Sequence, residues 1–110
     1  MAINDFTKVS QLFDLFREIQ VDLPIGAARV FMAVVMDEGA YQNDVADRIG
    51  MPKATCSRNM RLLSPRLGPG KDGHGLVEFR VSAIDARFKN VYLTDTGRAL
   101  KTRIMEILCK

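Results

Sequence analysis

The stretch from Gln42 to Arg58 (QNDVADRIGMPKATCSR) restricts the fold more than any other part of this chain. Val45, Ala46 and Ile49 fall on one face of a short helix, Gly50 interrupts it, and Pro52 opens a second helix reaching about Leu63. Two helices that cross at a tight turn need a small residue where their axes approach, which Ala46 supplies. The turn itself favours a residue tolerant of positive φ, which Gly50 supplies. Val45, Ile49, Met51 and Cys56 then face a common core. The second helix presents Lys53, Thr55, Ser57, Arg58 and Arg61 outward. Such side chains can reach base edges and phosphates when a helix lies in a DNA major groove. The same pattern also suits a helical hairpin built only for packing.

The flanking periodicities narrow the choice. Val9, Leu12, Phe13, Phe16 and Ile19 recur at helical spacing, so residues 5–20 read as an amphipathic helix. Asp22-Leu23-Pro24 opens a further helix whose broad apolar face holds Val30, Phe31, Val34 and Val35, with Met32 and Met36 as core packing and Gly39 as the stop. Residues 64–75 (SPRLGPGKDGHG), rich in glycine and proline, predict an irregular loop with Lys71 near any bound polyanion. Val77, Phe79 and Val81 alternate with Glu78 and Arg80, the mark of a half-buried strand, and Asn90–Thr94 supplies a second through Val91 and Leu93. Thr94 or Asp95 caps a last helix with Leu100, Ile104, Ile107 and Leu108 on its apolar face. Four helices, two strands and a helix, mainly α in an α+β order, predict a winged helix-turn-helix with a two-stranded β wing and flanking N- and C-terminal helices. On this reading residues 1–110 form one domain, with the helix-turn-helix at 42–63 and the wing at 76–94.

Charge is unevenly spread. The net charge is +3, yet residues 1–51 carry −4 and residues 52–110 carry +7. A basic half suits a polyanion partner and equally suits a solvated basic surface. The longest apolar run, Val30–Met36, is far short of the ~20 residues that span a bilayer. Met1–Asp5 shows no basic region followed by an apolar core, so a cytoplasmic protein with no membrane partner is expected. Cys56 and Cys109 cannot build a disulfide framework; Cys56 is expected to be a buried inert thiol. His74 is the single histidine and lacks partners at ligand spacing, so neither a metal nor another cofactor is expected, nor a His-dependent catalytic set. The Gly-Lys pair at Gly70-Lys71 lacks phosphate-loop spacing. The chain is expected not to be an enzyme.

Gly75-Leu76-Val77 followed by Asp85-Ala86-Arg87 and Val91-Tyr92-Leu93-Thr94-Asp95-Thr96-Gly97 resembles the multiple-antibiotic-resistance regulator (MarR) family, with its G-L-V strand start and D-x-R…V-x-L-T-x-x-G hairpin. With the helix-turn-helix, the resemblance covers roughly residues 24–100. It implies a homodimeric, sequence-specific regulator of transcription bound to double-stranded DNA, a repressor, with its recognition helix in the major groove. Arg87 at the wing would enter the minor groove, Asp85 would orient it, and Arg80 and Lys89 would meet the backbone. Residues 5–20 and 97–108 are the candidate dimerisation helices, since their apolar faces are hard to bury within one small domain. A small-molecule effector is implied by the family, without assigned residues. The chain departs from the family pattern at Tyr41 and Pro52, where Thr or Ser usually caps, and by about eight extra residues before Gly75. Two other classes fit the same helices: a winged helix serving protein–protein contact or assembly, as in a phage or mobile element, and a DNA-binding replication or recombination accessory.

Overall fold

A computed structural model describes residues 3–109 of the chain. The elements run α1 (Ile3–Ile19), α2 (Ile25–Met36), α3 (Gln42–Arg48), α4 (Lys53–Leu63), β1 (Arg66–Gly68), β2 (Lys71–Asp72), β3 (Val77–Val81), β4 (Lys89–Leu93) and α5 (Asp95–Leu108). Helix α2 is the central post. It buries Ala27, Val30, Phe31, Ala33 and Val34 and packs against α3, α4 and β4. Around it lie Met60 and Leu63 of α4, Val77 and Val91 of the wing, and Leu93, all fully buried. The core sits where the helix-turn-helix, the wing base and α2 meet.

Local chemistry sets the boundaries. Pro24 and Pro52 precede α2 and α4, where extended backbone and a missing N–H suit a helix start. Gly50, at φ +63°, makes the turn between α3 and α4, and Ala46 beside it is 1% exposed. Thr94 caps α5: its hydroxyl accepts from the Gly97 N–H at 3.0 Å and donates to the Gly75 carbonyl at 2.5 Å. Thr94→Ala is expected to cost about 1 kcal/mol, the usual value of a lost cap. Urea titration should show a lower midpoint at unchanged slope.

β3 and β4 pair antiparallel in the register Val77↔Leu93 to Val81↔Lys89. A third segment joins them at its edge: the Gly39 N–H donates to the Val91 carbonyl (2.7 Å) and the Val91 N–H to the Ala40 carbonyl (3.0 Å), and Tyr41 bridges Asn90. Helices α1 and α5 lie side by side, joined by Arg103–Glu18 at 2.8 Å and by the Lys8 ammonium donating to the Leu108 carbonyl at 3.2 Å.

Three expectations are corrected. Residues 64–75 are not an irregular loop throughout, because β1 and β2 form a small antiparallel hairpin turning at Gly70 (φ +71°). Val81 points to solvent at 61% exposure, because the hairpin has left the body by then and its inner face has nothing to cover. Met36 is 68% exposed at the end of α2, outside the core. On α1 the apolar side divides. Leu12, Leu15, Phe16 and Ile19 turn inward, while Phe6, Val9 and Phe13 face solvent.

Candidate nucleic-acid interface

Helix α4 is held by Cys56, Met60 and Leu63, which are buried one turn apart on its inner side. That anchoring fixes which residues face out. Lys53, Arg58 and Arg61 are exposed, while Thr55 and Ser57 lie half-buried on the two flanks. The Arg58 guanidinium donates to the Thr55 hydroxyl at 3.4 Å, within one turn of the same helix. Burial pushes the Cys56 thiol up, which leaves it protonated and unreactive at neutral pH.

The wing tip is built around Asp85. Its carboxylate accepts from Arg87 Nε (3.1 and 3.2 Å), from the Arg87 terminal nitrogen (2.7 Å) and from the Arg87 backbone N–H (3.0 Å). The Arg87 side chain is 83% exposed even so. A long cation normally wanders through many rotamers; here a planar fork-to-fork contact selects one. The same hydrogen bonds hold the Asp85 carboxyl below the usual carboxylate range.

That lowered pKa has a testable sign. The contact is formed above the unperturbed carboxylate pKa near ~3.9 and is lost as pH falls through the lower, folded value. An NMR titration of the Asp85 carboxyl should give a midpoint below ~3.9, with the Arg87 amide following the same curve. A midpoint above that value would show that the pair does not persist in solution.

The other two wing cations differ. Arg80 donates to Glu78 at 2.8 Å, and its guanidinium lies 4.0 Å from the Tyr92 ring centroid. The Glu78 hydrogen bond raises its pKa and commits it to its own strand. Lys89 is exposed, with Nζ 5.8 Å from the Phe79 ring. The structure thus brings Asp85 and Arg87 together and places Lys89 two residues further along. Arg80 is tied to Glu78, which the alternation of the strand puts on the same face.

A third component had no local signal in the sequence. Tyr41, at the entry to α3, stacks obliquely on Phe88 with ring centroids 5.7 Å apart. Its hydroxyl lies 3.4 Å from Ser82 Oγ at the base of the wing tip.

A recognition-type helix anchored by its buried face, a turn at Gly50 and an antiparallel hairpin carrying a fixed cation define a winged helix-turn-helix protein. Comparison with solved structures makes the type more specific. A MarR transcriptional regulator from Methanosarcina mazei Go1 superposes with a TM-score of 0.70 at 19% identity, covering 89% of this chain and 63% of that one. The S. aureus MepR–DNA complex gives 0.69 at 24% identity, covering 93% and 73%. The transcriptional repressor CouR, bound to a 23-mer DNA duplex, gives 0.62 at 21% identity, covering 99% and 74%. The fold is therefore the MarR-type winged helix. This chain spans less than two thirds of the length of the Methanosarcina regulator. No protein-family model matches the sequence, and no curated protein matches it. Among the described residues, no helix is long and apolar enough to cross a membrane.

Proposed function

We propose that this chain is a sequence-specific double-stranded DNA-binding regulator of transcription, acting as a homodimeric repressor. The observation that carries the reading is Arg87, a guanidinium extended into solvent at a hairpin tip yet held in one orientation by Asp85. A narrow minor groove concentrates negative potential, and a pre-oriented guanidinium enters it at little entropic cost. The exposed Lys53, Arg58 and Arg61 of α4, with Thr55 and Ser57 on its flanks, supply major-groove contacts, and Lys89 and Arg80 lie on the strands that carry the wing. Fold similarity to regulators solved on DNA supports the same assignment. It also supports a binding role in place of an enzymatic one.

Dimerisation is supported by an outward apolar stripe on α1. Ile3, Phe6, Val9 and Phe13 are 83, 62, 44 and 63% exposed, and Met105 and Leu108 of α5 are exposed as well. A second copy covering that stripe removes it from water and sets two recognition helices one DNA turn apart. Sedimentation at micromolar concentration should give a dimer.

Selection of duplexes from a random pool at ~150 mM salt, where non-specific phosphate binding is already weakened, tests the function. Enrichment of one inverted repeat is the expected result. Binding without an enriched motif would favour an accessory role in replication or recombination. Absence of binding would favour the protein-contact module.

A further inference from the structure

Tyr41 occupies the N-cap position of α3, yet its side chain caps nothing: the helix has no side-chain hydrogen bond at that end. The phenol is directed to the wing instead, across 41 positions of sequence. Two attachments join this segment to the wing. At the base, backbone bonds link Gly39 and Ala40 to Val91, and Asn90 Nδ2 donates to the Gly39 carbonyl at 2.9 Å. Toward the tip, the Tyr41 ring meets Phe88 and its hydroxyl meets Ser82.

Ser82 is the pivot of the tip. It is 7% exposed, and its Oγ accepts from the backbone N–H groups of Ile84 (3.2 Å) and Asp85 (3.3 Å). With both lone pairs engaged, the Ser82 hydrogen is directed to the Tyr41 oxygen. The Ser82 N–H donates to the Phe88 carbonyl, and the Phe88 N–H to the Asp85 carbonyl. Contacts therefore run from Tyr41 through Ser82 and Phe88 to Asp85, and from Asp85 to Arg87. Val81 and Ile84, 61% and 91% exposed, give the tip little packing of their own.

We propose that Tyr41 is a positioning residue that fixes the wing tip to the helix-turn-helix, so that Arg87 and α4 engage DNA as one rigid unit. The coupling to DNA rests on the regulator reading above; the fixing of the tip does not. A rigid link places Arg87 at a set distance from the recognition helix, and the wing contact is then made without a fresh ordering cost. A polar cleft of about 220 Å³ lined by Tyr41, Gln42, Asn43, Arg87, Phe88 and Lys89 lies beside the link.

Amide hydrogen exchange on the DNA-free protein tests the first half. In Tyr41→Ala, and independently in Phe88→Ala, the Ser82 and Phe88 amides should exchange at least about tenfold faster, while core amides of α2 keep their protection. Tyr41→Phe, which retains the ring contact, should restore most of it. Unchanged exchange at Ser82 and Phe88 in both alanine variants overturns the assignment. A double-mutant cycle against the selected duplex tests the second half. Arg87→Ala should weaken wild-type binding about tenfold and the Tyr41→Ala protein less than about threefold. Equal losses in both backgrounds overturn the coupling. A wild-type chain that binds no duplex overturns the regulator reading and the coupling with it, and the exchange result then stands alone.

Discussion

Changing Arg58, Arg61 and Arg87 together to glutamine is expected to weaken binding to the selected duplex by on the order of a thousandfold at ~150 mM salt. Each removed cation forfeits either a base-edge contact or the release of a condensed counterion. The plot of log affinity against log salt should therefore flatten by about 2–3 units per protomer, or about 5 for a dimer on its inverted repeat. All three side chains are exposed, so the melting temperature should move little. Loss of Arg87 has a second effect: it leaves the Asp85 carboxylate, now without its partner, facing the phosphates. Arg87→Gln alone should accordingly cost more than Arg58→Gln alone. Fluorescence anisotropy across a salt series gives both quantities. Undiminished affinity in a folded triple variant would remove these residues from the interface.

Gly97→Ala is expected to destabilise the fold strongly despite adding a single methyl. Helix propensity alone favours alanine by about 1 kcal/mol. Gly97, however, is buried where the first turn of α5 crosses the start of β3, and an added Cβ would collide with the Leu76 backbone carbonyl and press on Leu93. Backbone cannot yield there without disturbing the Thr94 N–H bond to that same carbonyl and the Thr94 cap on Gly97. A net loss of about 3 kcal/mol follows from overpacking of this kind. That corresponds to a melting temperature lowered by roughly 12 °C or more in a domain of this size. A melt within a few degrees of wild type would show that α5 can shift away from the wing base. This steric demand gives a physical reason for the glycine that ends the wing's sequence pattern.

Much of the fold could be read from the chain because its signals are local. Apolar spacing placed the helices to within a few residues, and Val77 and Val91 marked the wing. The hairpin of β1 and β2 escaped because strands of three and two residues carry no period, and their pairing is made by backbone alone. Val81 misled because alternation records which way a side chain points and not whether anything lies there. Of the candidate site, Asp85 and Arg87 were legible through the D-x-R pattern on which the family resemblance rests. For Arg80 only half was legible: Glu78 lies two residues away on the same strand face, whereas the contact with the Tyr92 ring depends on the β3–β4 register. Tyr41 looked only like a missing cap, because what it touches is set by the tertiary fold.

The excursion between α4 and β3 closes on itself. The N–H groups of His74, Gly75 and Leu76 donate back to the carbonyls of Leu62, Ser64 and Leu63, so the chain re-enters the body at the point where it left. Wing register is thus decoupled from the length of what lies between. Extra residues at Pro69-Gly70 project outward without moving β3, which is how a longer connection coexists with an ordinary wing. The same closure makes this turn a natural graft point: a fluorophore-bearing peptide or an affinity tag placed there would report on the recognition helix without altering its aim.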